Sequence, residues 1–198
     1  MRLKPPTAQR RVGVYVKSFA LGLALICAQL TLSSASAQTI EPSEQTIQQA
    51  ATLFEQGVAA ADKGDFQQAI HNYTQVIALT PNHAGTYYNR GNAYSELKDN
   101  SSAIRDFTQA IILNPNYAQA YYNRGNAYNE LKDNSSAIRD YTQAIALDPN
   151  FAEAYTNRAV SLALTNDYRN ATRDARKACS LGNCGMLELL GNNGRLRD

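Results

Sequence analysis

A chain of 198 residues that is 44 % hydrophobic carries enough apolar material for one folded domain with appendages. Its formal charge of +2 is unevenly spread: residues 1–37 hold Arg2, Lys4, Arg10, Arg11 and Lys17 with no acid, which leaves 14 basic and 17 acidic groups in residues 38–198, a net of −3. A mildly acidic body without a basic run excludes nucleic acid as the expected partner, because displacing counterions from phosphates needs clustered Lys and Arg.

In chain order, the first expected element is an address. The basic start leads into the apolar stretch 19–30 and then into small residues ending Ala35, Ser36, Ala37, a pattern that a signal peptidase accepts. Those 12 apolar residues fall short of a bilayer core of roughly 30 Å at about 1.5 Å per residue. The reading is a signal peptide over 1–37, cleaved after about Ala37, and a periplasmic or secreted protein. The competing reading keeps 12–32 as an uncleaved anchor, against which Lys17 counts. Only then would the membrane be a partner. Cys27 lacks the small preceding residue of a lipidated cysteine, and Val12, Gly13 and Val14 do not strengthen the twin-arginine signal suggested by Arg10 and Arg11. Residues 38–49 read as a linker, disordered near 38–42, and the start of the first helix.

Beyond that point the chain repeats itself every 34 residues. Segments 84–117 and 118–151 differ at seven positions, and the spacing joins Gly57, Gly91, Gly125 and Ala159, Ala69, Ala103, Ala137 and Ala171, and Pro81, Pro115 and Pro149. Such a period marks a stacked-repeat architecture. Each repeat reads as two antiparallel helices. In residues 84–117 the first runs from about Ala84 to Leu97, with Tyr87, Gly91 and Tyr94 on one face. Lys98, Asp99 and Asn100 break the pattern, and Ser101 or Ser102 is the expected cap of the second helix. That helix presents Ala103, Phe107, Ala110 and Ile111, and Asn114-Pro115 ends it. Gly91 is expected to face Ala103 and Gly125 to face Ala137, with Phe107 and Tyr141 as knobs into the next repeat.

This arrangement resembles the tetratricopeptide repeat family. The matching residues are Tyr87, Gly91, Tyr94, Ala103, Phe107, Ala110 and Pro115, then Tyr121, Gly125, Tyr128, Ala137, Tyr141, Ala144 and Pro149. The resemblance implies an all-α, right-handed solenoid of four helix-turn-helix repeats, at 50–83, 84–117, 118–151 and a degenerate 152–185. Residues 186–198 would supply a short capping helix and a disordered tail, with Gly182 ending the helix before the cap. Atypical first and last repeats fit positions with one neighbour.

Three features carry functional expectations. Arg90, Arg124 and Arg158 stand 16 residues before Asp106, Asp140 and Asp174, while the first repeat has Gln56 and Asn72 at those places. Charged partners exchanged together for amides point to internal structural ion pairs, not an anion site. Second, the family's concave groove is lined by first-helix residues not used in packing, which maps here to Tyr88, Asn89, Asn92, Tyr122, Asn123, Asn126 and Asn157. Phe54, Glu55 and Val58 begin that row, and Glu153, Thr156 and Val160 continue it. Amides both donate and accept, so this file suits a peptide backbone, and the tyrosines add apolar area with a polar tip. The Lys and Arg of a carboxylate clamp are missing: Phe54, Val58, Tyr88, Gln119 and Glu153 hold those positions. Third, Cys179 and Cys184 can form a disulfide across the final turn in an oxidising compartment.

No motif for a catalytic residue, cofactor or metal is present, His71 and His83 read as solvated, and four N-glycosylation patterns, at Asn72, Asn100, Asn134 and Asn170, read as incidental. The expected function is a protein-interaction scaffold or adaptor binding another protein or peptide in the groove, outside the cytoplasm, and not an enzyme. The alternatives are a self-associating structural solenoid and a small-ligand-binding protein. Oligomeric state is left open.

Overall fold

The computed structural model describes residues 43–194 and 196. The signal segment, with its possible anchor, the linker 38–42 and the last tail residues lie outside that range. Among the described residues there are nine α-helices and no strand. They are α1 (Glu44–Asp62), α2 (Phe66–Leu79), α3 (Ala84–Glu96), α4 (Asn100–Leu113), α5 (Ala118–Glu130), α6 (Asn134–Leu147), α7 (Ala152–Leu164), α8 (Tyr168–Ser180) and α9 (Gly185–Asn192). The all-α expectation is met. The last helix, Gly185–Asn192, occupies the place expected for a capping helix.

Local chemistry fixes the helix ends. Asp65, Asp99, Asp133 and Asp167, 34 residues apart, cap α2, α4, α6 and α8 by accepting the backbone N–H three residues on. This corrects the expected serine caps. Ser102 is the donor: its hydroxyl and backbone N–H both bond to Asp99, holding that carboxyl below the usual carboxylate range. The aspartate wins because its short carboxylate reaches two donors at once and lies at the positive end of the helix dipole. The turns before these caps need one left-handed residue. Gly64 supplies it freely at φ +79, whereas Lys98 and Lys132 adopt φ 63 and Asn166 φ 64.

The chain divides into two compact units, Met1–Thr86 and Tyr87–Asp198. In the first, α1 packs against α2. Phe54 is 2 % exposed, with Tyr73 at 5.7 Å and His83 edge-on at 5.8 Å. His83 is therefore not a solvated turn residue. Its Nδ1 shares a 2.8 Å hydrogen bond with Thr86 Oγ1, and burial lowers its pKa. The folded pKa lies below the unfolded value of about 6.5. Stability is thus complete above about pH 6.5 and is lost as the pH falls towards the folded pKa, because only the unfolded chain takes up the proton. Thermal melts should fall between about pH 7 and pH 5, and His83→Phe should remove most of that drop. Asn72, expected opposite Gln56, accepts instead from Gln68 one turn away on its own helix.

In the second unit α4 packs on α5, α5 on α6, α6 on α7, α7 on α8, and α9 on α8 and α7. This is the neighbour-by-neighbour stacking of a repeat array. Its small residues make room for aromatic rings. A Cβ on Gly91 would lie 2.8 Å from the Phe107 ring and one on Gly125 2.7 Å from the Tyr141 ring. The glycines therefore face rings of their own repeat, which corrects the expected Ala103 and Ala137 contacts. Phe107 is fully buried with Ala103 of its repeat and Ala127 of the next. At the far end Met186 and Leu190 of α9 close the core over Ala159, Ala171 and Ala175.

Candidate binding face and its supports

The first helices α3, α5 and α7 carry two linked networks of amides and phenols. Asn123 Nδ2 donates to Tyr88 Oη at 3.1 Å and to Asn92 Oδ1 at 2.7 Å. One repeat on, Asn157 Nδ2 donates to Tyr122 Oη at 3.0 Å and Asn126 Oδ1 at 2.9 Å. Asn126 Oδ1 also accepts from Tyr141 Oη at 2.8 Å. The 34-residue period produces this geometry, since Asn157, Tyr122 and Asn126 repeat Asn123, Tyr88 and Asn92 one period on. Six of the seven expected groove residues are brought together. Asn89, half-buried on the same helix as Tyr88, stands outside both networks.

Each tyrosine is held by rings below it. Tyr88 lies 4.8 Å from Tyr117 and 5.9 Å from Phe107, and Tyr122 lies 4.7 Å from Phe151 and 5.8 Å from Tyr141. Burial pushes the Tyr122 phenol above its usual pKa, so it is neutral at physiological pH. Sequence reasoning missed the roles of Tyr117 and Phe151, although they share the 34-residue spacing with His83. It also missed the 3.1 Å bond from the buried Ser161 hydroxyl to Asn129 Oδ1. Phe54, expected to begin the lining row, lies in the core of the first unit.

Behind the face lie three forked ion pairs. Arg90, Arg124 and Arg158 each donate Nε and Nη2 to the two oxygens of Asp106, Asp140 and Asp174, at 2.6–2.8 Å. The aspartate side chains are 6–9 % exposed. Each guanidinium also lies 5.6–5.7 Å from the ring of Tyr87, Tyr121 or Tyr155. Arg124 and Arg158 donate Nη1 to Thr108 and Thr142 of the preceding repeat. Their planar five-donor fork makes all these contacts at once, which a lysine could not.

Cys179 and Cys184 are joined by a disulfide. It ties the last turn of α8 to the start of α9, around Gly182 at φ +97. Replacing both cysteines with serine should lower stability by about 2 kcal/mol, the loop-closure cost of so short a ring. Urea unfolding under oxidising conditions measures it, and the loss should fall on α9 first. No group of three or more His, Cys, Asp or Glu side chains suited to a metal occurs among the described residues. No described helix is long and apolar enough to cross a membrane.

Tetratricopeptide repeat models match residues 84–117, 118–151 and 140–173, and a TPR repeat model matches 57–98. Among solved structures, a crystal structure of MamA matches with TM-score 0.66 and 28 % identity, over 67 % of this chain and 77 % of that one. The first TPR of Spaghetti (RPAP3) bound to the HSP90 peptide SRMEEVD gives 0.59 and 31 %, over 60 % and 94 %. The second TPR domain of human RPAP3, in complex with the HSP70 peptide SGPTIEEVD, gives 0.57 and 29 %, over 59 % and 97 %. No curated relative matches the chain. The matched repeats together span more than half of the 198 residues, and the chain belongs to the tetratricopeptide repeat family.

Proposed function

We propose that this chain is a protein-interaction scaffold whose α3–α5–α7 face holds a segment of a partner polypeptide. The observation that carries this reading is the half-buried file of Tyr88, Asn92, Asn123, Tyr122, Asn126 and Asn157, rigidly bonded from one repeat to the next. Pre-set side chains lower the ordering cost of binding. Two similar structures hold peptides, by their descriptions, which favours a peptide-like partner here.

The hydrogen-bond pattern refines the partner. Asn123 and Asn157 each use both Nδ2 hydrogens within the protein, so what they offer outward is an acceptor, Oδ1. Glu153 is exposed on α7. With amide oxygens as acceptors, the Tyr122 O–H as a donor and no Lys or Arg at the clamp positions, the face suits a peptide backbone better than an acidic carboxylate tail. The basic, apolar start of the chain supports export, so we place the scaffold outside the cytoplasm.

A photo-crosslinking residue at Asn89, which takes no part in the networks, tests the face directly. The expected result in the native compartment is a polypeptide adduct lost on Asn123→Leu, with helix content unchanged by circular dichroism. Adducts that form equally well from a crosslinker at Arg105, on a second helix, would place the site elsewhere.

A further inference from the structure

The charged residues of α3, α5 and α7 are three arginines and three glutamates. Arg90, Arg124 and Arg158 are each forked to an aspartate of the helix that follows, which balances them inside the repeat. Glu96, Glu130 and Glu153 are exposed, and among the described residues none of them enters an ion pair. The charge left uncompensated on these helices is therefore negative.

Helical spacing sets the three carboxylates beside the amide and phenol file. Glu96 follows Asn92 by four residues, Glu130 follows Asn126 by four, and Glu153 precedes Asn157 by four. Residues four apart share a helix face, and those three amides belong to the two networks. One acid thus stands a turn away from the file on each helix. Glu153 also lies near the Tyr122 phenol, whose pKa rises mainly through burial and further through that charge.

Local structure accounts for one of the three. Glu153 is in the first turn of α7, where the helix dipole favours an acid. Glu96 and Glu130 are the last residues of α3 and α5, where the dipole disfavours one. Lys98 and Lys132, two residues beyond them, sit in the left-handed turns and, among the described residues, pair with neither.

We propose that the segment held by this face is cationic, its Lys or Arg side chains reaching Glu96, Glu130 and Glu153 while its backbone meets the amide file. Complementary charge at the margins of a site selects the partner more than it adds to affinity. The inference rests on the peptide-binding reading above and narrows it to one class of partner.

The test uses short peptides that alternate Ser with Arg, Ser with Gln or Ser with Glu, each carrying a neutral fluorophore. Fluorescence anisotropy measures their binding to the full chain. The Arg peptide should bind most tightly and the Glu peptide least. The triple variant Glu96→Gln, Glu130→Gln, Glu153→Gln should weaken the Arg peptide by about threefold for each exposed pair, roughly thirtyfold together. It should leave the Gln peptide unchanged, whereas Asn123→Leu should weaken both. Equal binding of the Arg and Gln peptides, both lost on Asn123→Leu, would overturn the preference for cations and leave the peptide-binding face standing. Arg-peptide binding that survives Asn123→Leu but not the triple variant would overturn the link between the acids and the amide file. No binding of the Arg peptide, or equal binding by the triple variant, would overturn the proposal outright.

Discussion

Asp140→Ala should destabilise the chain by about 3 kcal/mol, at the lower end of the range for breaking a buried pair. The cost comes from Arg124, 16 % exposed, which would lose both of its carboxylate bonds. The low end is expected because the guanidinium keeps its bond to Thr108 Oγ1 and its place over the Tyr121 ring. Urea unfolding of the variant measures the change. The double replacement Arg124→Met, Asp140→Leu should recover most of it, since apolar residues of similar volume commonly replace a buried pair at little cost. A loss under 1 kcal/mol in the single variant would show that water reaches the stranded charge.

Tyr141→Ala should cost about 3–5 kcal/mol, the range for deleting a large buried ring. Tyr141 is fully buried, fills the space left by Gly125 and lies tilted against the Tyr122 ring at 5.8 Å. Its hydroxyl bonds to Asn126, which in turn accepts from Asn157. The deletion thus leaves a cavity and an amide short of a donor. Tyr141→Phe isolates the second effect, and Phe107, at the same position one repeat earlier, shows that the fold accepts a plain ring. About 1 kcal/mol is expected for that change. Hydrogen exchange should show α5, α6 and α7 loosening together, because neighbouring repeats share these contacts.

The fold was legible because the same information is written several times. A recurring Gly91–Gly125 position, an alanine on each second helix and a proline after it define helix pairs that cannot bury their apolar faces alone, so the copies must stack. The caps were misread for a local reason. Asp99 and Ser102 are both capping residue types three positions apart, and only geometry shows which accepts and which donates. The glycine contacts were misread for a tertiary one. Spacing puts Gly91 on the inner side of its helix but cannot say whether a methyl group or a ring lies across from it.

The amide and phenol face was legible as a list of positions, not as a network. Sequence identified Tyr88, Asn123 and Asn157 as one row, but read each amide as free to donate and accept. Stacking sets Asn123 against Tyr88 and Asn92 of the preceding repeat, and those bonds commit its Nδ2 within the protein.

By itself, then, the sequence determined the helices, their period, the family and the pairing of Arg90, Arg124 and Arg158 with three aspartates, because these depend on residue type at fixed spacing. The tertiary structure decided which ring fills which glycine space and which amide atoms remain uncommitted. Those depend on distances between residues 16 positions apart, as for Gly125 and Tyr141, or 35 apart, as for Tyr88 and Asn123, and such distances exist only once the helices are packed.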